Sequence, residues 1–505
     1  MKNKPLVRHD IISLLRTFSA KDIKRFSLYL SSEFFTTRRS LLILYNRLIE
    51  FHPLYTHVNC TKELLYSEVY PELKYNGGTM RDLLSDLHEA AVDFITMEAL
   101  RKDKCAHLTR VKELRERGLA KQAFKYLEEQ TQEENNLNNI DSNYFLNRYN
   151  LFIQKINLNA IFRHKTRQKA VNSMFDDIND SGLSILLFSI LEITANYSNF
   201  ILMESTFREE ADDGFMNNTI KDLHNSGIFR RVMRQENFGF MAEVYLSMLD
   251  ALLKKGSFEK YTEYKALVKK YSSKFSRDEL SMHYSKLISS CIRGAQSGKH
   301  SDKFNIELIS LYYELLEKGY YRNNKTKYIP SNLFRAIVLH SVKMNKLDWL
   351  KKVIGRFLNE VQPADIDNMR NFAMAYYFYA SGRSGKAIEA ICKLNITQFI
   401  FKYDIYNLKL RIFYENGEYS AAIELIHTYR QFLRCDKLMP SSRKVFHRNF
   451  MKYAARLLAI ADGSKKYEAG LEMQKLDKED CAYKEWLTDK FTLFAGARKK
   501  YSIAG

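Results

Sequence analysis

The stretch Tyr414-Glu-Asn-Gly417-Glu-Tyr419-Ser-Ala-Ala422 sets a glycine five residues ahead of an alanine, inside a pair of amphipathic helical runs. Such a segment reads as a tight turn between two helices, the glycine leaving the first helix and the alanine starting the buried side of the second. Gly382/Ala387 repeats the pair 35 residues upstream, and Gly118/Ala123 gives an early copy. Further junctions read at Gly256-Ser-Phe258-Glu-Lys-Tyr261 and at Asn345-Lys-Leu347-Asp-Trp-Leu350, the latter 37 residues before Gly382. A period of this size is what stacked helical hairpins leave in sequence, because one hairpin can bury its apolar face only against its neighbours.

Composition agrees with an all-α chain of helical-hairpin repeats. Of 505 residues only 6 are proline and 19 glycine, and the 258 residues between Pro71 and Pro330 hold no helix-breaking ring. An all-β protein of this length needs many more turn residues. Apolar residues make 46% of the chain and charged residues 27%, which excludes wholesale disorder. The N-terminal apolar stretch is broken by Arg16 and Lys21, so no secretory signal is read, and no uncharged apolar run reaches the roughly 18 residues of a bilayer span. Cys60, Cys105, Cys291, Cys392, Cys435 and Cys481 show no paired spacing. Reduced thiols in a soluble, cytoplasmic protein are expected. The net charge of +20 is spread along the chain and favours acidic partners in general.

Residues 1–105 read as a separate helical module, with Ser19 capping a helix that carries Ile23, Phe26 and Leu30, and a second helix from near Thr37 through Leu41, Leu44, Leu48 and Ile49. A short helix over Thr61 to Tyr70 and a long one from Thr79, capped through Asp82, follow. Met80, Leu83, Leu84, Leu87, Ala91, Phe94 and Ile95 form the long helix's buried stripe. The order of these elements resembles the winged-helix units that precede helical repeats in some bacterial regulators. Its outward positions, however, are Asp82, Asp86, Glu89 and Asp93, and carboxylates repel phosphates where a groove-reading helix needs Arg, Lys, Asn or Gln. The repeat array is expected over 106–465, with a polar loop at Gln130 to Asn143 and an acidic loop near Glu209 to Gly214, and capping helices over 466–505.

Gly417-Glu-Tyr419-Ser-Ala-Ala422 is similar to the Gly-x-Tyr-x-x-Ala core of the tetratricopeptide repeat, where small residues let two helices cross closely and the aromatic fills the hairpin interior. Gly382 to Ala387 and Gly118 to Ala123 keep the Gly and Ala and lack the Tyr. Ala375 to Tyr453, with Arg430-Gln-Phe-Leu-Arg434, also looks like a group of long bacterial helical-repeat proteins of unassigned function. The resemblance implies a tetratricopeptide-like α-solenoid and carries no activity.

Several motifs fall short of chemistry. Gly382-x-x-Gly385-Lys386 lacks the spacing and the Ser or Thr of a phosphate loop. Asp177-x-Asn179-x-Ser181-Gly182 begins like a calcium loop, but Phe188 stands where a bidentate Glu is required, so it reads as a capped turn. His52, His57 and Cys60 lie close together without a fourth zinc ligand. No nucleophile elbow, metalloprotease helix, kinase or dinucleotide signature is present. Neither a catalytic residue nor a metal or cofactor is expected.

What remains is a basic stripe, Lys444, Arg448, Lys452 and Arg456, each four residues after the last, opposite a seam of Phe446, Phe450, Tyr453 and Leu457. Smaller groups at Arg163, Lys165, Arg167 and Lys169, at Arg230, Arg231 and Arg234, and at Lys325 and Lys327 are placed to join it if the array brings them round. The 32 Tyr and 33 Phe are read as packing between helices. The expected function is a non-enzymatic scaffold that binds an acidic or extended protein segment. A nucleic-acid-associated regulator, using the N-terminal module or residues 444–456, is the alternative, and an enzyme with an unrecognised site is the second.

Overall fold

The structure is a computed structural model that describes residues 9–36, 38–101, 104–135, 140–161, 168–207, 214–254, 256–296, 298, 300–323, 326–395, 399–437, 439, 441–463 and 468–501. Its regular elements are 24 α-helices with short 3-10 turns, and no strand forms among the described residues. The chain is all-α. It divides into two compact units, Met1–Asn135 with Asn150–Ile178, and Asn136–Tyr149 with Asn179–Gly505.

The first unit opens with α1 (Asp10–Leu15), α2 (Ala20–Ser31), α3 (Arg39–Ile49), α4 (Lys62–Val69) and α5 (Gly77–Leu100). Ser19 starts α2 by a capping box, its hydroxyl accepting the Asp22 N–H while the Asp22 carboxylate accepts the Ser19 N–H. One core, built on Phe26, Leu44, Leu48, Leu83 and Leu84, holds the five helices. The start of α5 differs from the expected one. Asn76, three residues before the anticipated Thr79 helix start, caps it by accepting the N–H groups of Gly78 and Thr79 at 2.9 and 3.1 Å. Ile95 is exposed and drops out of the predicted stripe, whose other members are buried. Asp82, Glu89 and Asp93 face solvent, and Asp86 pairs with Arg38.

Next come α6 (Lys104–Glu116) and α7 (Ala120–Asn135), which fold back on each other about Gly118. Ala123, Val111 and Leu127 meet Leu151 and Leu158 of α8 (Ser142–Ile161) in a small second core. Residues Gln130 to Asn135 of the expected loop are helical, and 136–139 lie outside the described residues.

The long α9 (Gln168–Phe207) corrects another expectation. The segment from Asp177 to Gly182 is helix, not a capped turn, and Asp177 accepts a hydrogen bond from Lys155 Nζ at 2.7 Å. A lone glycine costs a helix only about 1 kcal/mol, and the apolar run from Leu183 outweighs it by packing Leu187, Ile190 and Leu191 into the second unit's core. Over Asn172–Met203 this is the one described helix long and apolar enough to cross a membrane, with a mean hydropathy of 1.5. Of the expected acidic loop, 209–213 lie outside the described residues.

In the second unit, α10 (Phe215–Asn225) and α11 (Ile228–Met233) lead into a run of pairs: α12 (Gly239–Leu253) with α13 (Phe258–Lys270), α14 (Arg277–Gln296) with α15 (Ser301–Glu317), and α16 (Ser331–Lys343) with α17 (Leu347–Phe357). The run continues with α18 (Ile366–Ala380) and α19 (Ser384–Cys392), α20 (Phe399–Glu415) and α21 (Tyr419–Cys435), then α22 (Ser441–Ala461), α23 (Ala469–Lys478) and α24 (Lys484–Tyr501). Contacts of α13 with α14, α17 with α18 and α21 with α22 join one pair to the next.

The turn inside each pair carries a residue in the left-handed region: Gly256, Gly298, Asn345, Gly382, Gly417 and, after α22, Gly463. A chain leaving a helix reverses most readily through that conformation. At Gly382 (φ +73°) and Gly417 (φ +76°) a β-carbon would meet open space, so backbone conformation and not crowding calls for glycine. Close packing falls to the alanines five residues on, since Ala123, Ala387 and Ala422 are all fully buried. Tyr419, expected inside its hairpin, is only half-buried, with its ring 6.1 Å from that of Tyr414.

Candidate functional site

Helix α21 buries Ala422, Ile426, Tyr429 and Leu433, which leaves Arg430 and Arg434, one turn apart, on an exposed flank. Helix α22 buries Phe450, Tyr453 and Leu457 and carries Lys444, Arg448 and Lys452 along a neighbouring row. Where the two helices face each other they enclose a cleft of about 650 Å³. Leu433 and Met451 supply its apolar floor, and all five cations line it. No carboxylate is among its described lining residues.

The predicted stripe of four does not act as one surface. Lys444, Arg448 and Lys452 reach the cleft, but Arg456 turns away to pair with the buried Glu472 of α23, which also holds Lys475 at 3.0 Å. Lys452 donates to both carboxylate oxygens of Glu479, at 2.7 and 2.9 Å, and that bond holds the Glu479 carboxyl below its ordinary range. Lys444 donates to the Asp436 carbonyl. Arg430, Arg434 and Arg448 are exposed and have no hydrogen-bond or ion-pair partner among the described residues. Phe446, assigned to the seam, is 41% exposed.

Arg430 and Arg434 are the residues that sequence reasoning missed as site members. Their spacing of four beside the apolar positions of α21 is the available signal, yet it shows only that they share a flank and not that α22 lies opposite. The smaller basic groups do not join them. Arg230, Arg231, Arg234 and Lys327 are exposed and line no part of this cleft. Arg163, Lys165, Arg167 and Lys325 lie outside the described residues, as does the side chain of Lys169.

A second basic cluster gathers around His447 of α22. Arg335 of α16 pairs with Asp404 of α20, and Arg411 sits over the rings of Tyr483 and Tyr379, 4.1 and 4.8 Å from their centroids. His447 is pushed down to about 4 by burial and then by the charges of Arg443 and Arg335. Arg335 and Arg411 are thus held by carboxylate and aromatic partners of the fold itself.

The other motifs fall into structural places. Gly385 and Lys386 lie in the first turn of α19, and the Lys386 ammonium stands 5.9 Å from the Phe378 ring centroid. Cys60 is buried while His57 is exposed and stacks on Phe51. No group of three metal-ligating side chains converges among the described residues. No family model, curated protein or solved structure matches the chain.

Proposed function

We propose that this protein is a non-enzymatic, tetratricopeptide-like scaffold whose α21–α22 cleft holds a carboxylate-rich, extended segment of a protein partner. The observation that carries the reading is the cleft itself: five cations around one cavity with, among the described residues, no lining carboxylate and no partner for three of the arginines. Guanidinium groups pair with carboxylates through two parallel hydrogen bonds, and the apolar floor accommodates the stems between charges. Because packed helices fix both walls, the scaffold loses little entropy when a segment docks. Charge then sets which partners are attracted and how fast they arrive. A cytoplasmic setting accords with the reading, since the five described cysteines are all free thiols.

Fluorescence anisotropy with a labelled octaglutamate peptide tests it. Binding is expected for the native chain, and a drop of at least about tenfold for the triple variant Arg430→Glu, Arg434→Glu, Arg448→Glu. Equal binding by the variant overturns the cleft assignment. A labelled DNA duplex run in parallel separates the alternative: tighter binding to DNA than to the peptide, lost in the same variant and falling steeply with salt, replaces the acidic-segment reading with nucleic-acid association.

A further inference from the structure

Lys286, Ser290 and Arg293 follow one another along α14 at steps of four and three, which sets them on one face of that helix. Lys286 and Ser290 are 6% and 8% exposed, and Arg293 is half-buried. Polar groups drawn out of water ordinarily bring their own acceptors with them. Here a single neutral acceptor is present. The Lys286 ammonium donates to the amide oxygen of Asn199, on α9, at 2.6 Å and pairs with no carboxylate among the described residues. Among those residues Arg293 has no hydrogen-bond or ion-pair partner, and the buried Ser290 hydroxyl has no hydrogen-bond partner.

The two cations also act on each other. Burial, and then the charge of Arg293, lowers Lys286 to about 8, and burial lowers Arg293 as well. Two like charges held near one another in a poorly solvated place are costly until an anion comes between them. Glu279, two turns before Lys286 on α14, does not fill that role. It accepts from the Tyr245 hydroxyl at 2.5 Å and lies 3.4 Å from His283 Nε2. It also stands on the far side of Lys286 from Arg293, so an anion between the cations is at least about 10 Å of helix rise from it.

The chemistry of the gap selects the anion. One carboxylate answers one of the two charges, whereas a phosphoryl group carries about two negative charges at pH 7. Its oxygens can accept from the ammonium, from the guanidinium fork and from the hydroxyl between them. Beside Lys286 lies a cavity of about 760 Å³, lined from α9 and α14, whose wall mixes Asn196 and Ser285 with Met282, Leu315 and Leu333. Lys286 is the single cation among its described lining residues.

We propose that this face of α14 binds a phosphoryl group, held between the Lys286 ammonium and the Arg293 guanidinium over the Ser290 hydroxyl. The neighbouring cavity has room for the organic part of a phosphate monoester. This site does not rest on the α21–α22 cleft, and its failure leaves that reading untouched.

Isothermal titration calorimetry of the full chain with inorganic phosphate and with phenyl phosphate, in chloride buffer, tests the proposal. Binding is expected. Tighter binding of phenyl phosphate assigns the site to an ester, and equal or tighter binding of inorganic phosphate assigns it to the free ion. Lys286→Met and Arg293→Met should each weaken binding at least about tenfold, and Ser290→Ala should weaken it less. Asn199→Asp changes an exposed position, sets a carboxylate beside Lys286 and should also cost at least about tenfold; it carries the test where a change inside α14 prevents folding. Melting of Asn199→Asp without phosphate should come no lower than that of the native chain, since the new carboxylate answers an unpaired charge, which separates loss of a ligand site from loss of the fold. Failure of both ligands to bind the native chain overturns the assignment. So does binding that is unchanged in Lys286→Met or in Asn199→Asp, because the phosphate then sits elsewhere on the protein.

Discussion

The guanidinium of Arg335 holds both carboxylate oxygens of Asp404, 69 residues away in sequence, and so ties α16 to α20. Asp404 is 5% exposed, and this pair spans two helices that are not neighbours in the chain. Removing one partner strands the other charge in a poorly solvated place. Asp404→Ala is expected to destabilise the second unit by about 3 kcal/mol or more, while the double change Arg335→Met with Asp404→Leu recovers most of the loss. Trp349 and Trp486 both lie in this unit, so tryptophan fluorescence during urea unfolding measures the effect. A single variant no weaker than a surface substitution would contradict the account.

His447 predicts an acid limb. Its pKa is depressed in the fold, so the unfolded chain takes up the proton first as pH falls. The stability it contributes is present above its ordinary value of 6.5 and drains away as pH falls towards about 4, a loss of up to about 3 kcal/mol. His447→Gln keeps a polar group near the Tyr429 hydroxyl, 2.7 Å from Nδ1, and lacks the titration. Urea midpoints measured from pH 7 to pH 4 should fall more steeply for the native chain than for the variant. Parallel curves would show that another group sets the limb.

Arg448 and Arg456 lie two turns apart on α22 and should respond differently. Arg448 is exposed and has no partner among the described residues, so Arg448→Ala is expected to change stability by no more than about 0.5 kcal/mol and to act on octaglutamate binding. Arg456→Ala leaves the buried Glu472 with Lys475 alone and is expected to cost about 2 kcal/mol with little direct effect on the cleft. If the two variants exchange these phenotypes, the division of the stripe is wrong.

Glycine and alanine in one turn also separate. Gly417→Ala forces an L-residue into the left-handed region and should cost about 1–2 kcal/mol although space is open. Gly417→Asn should cost less, as Asn345 holds the same conformation at an equivalent turn. Ala422→Leu overfills a fully buried position and should cost about 1–3 kcal/mol. Thermal melting of the three variants orders them, and a harmless Ala422→Leu would mean that the alanine is not a packing point.

Helix by helix, much of this architecture is written locally. The Ser19 cap, the turns at Gly118, Gly382 and Gly417 and the buried row of α21 depend on residues within four or five positions of one another, and that range is what periodicity reports. Where local signals compete, the reading slipped. Asn76 displaced Thr79 as the cap of α5 because its side chain reaches two N–H groups, and Gly182 stayed helical because the apolar run beyond it packs into a core that no local pattern displays.

The α21–α22 cleft lies wholly on the other side of that division. Lys444, Arg448, Lys452 and Arg456 were legible as one row, since a step of four keeps side chains on one side of a helix. Packing then divided them: Glu472 of α23 claimed Arg456, Glu479 drew Lys452, and α21 brought Arg430 and Arg434 to face Arg448. Sequence determined that these helices form and which of their faces carry charge. Which charges neutralise each other and which stay exposed was decided by tertiary structure, because ion pairing falls off over a few ångströms and only the assembled fold sets distances between helices.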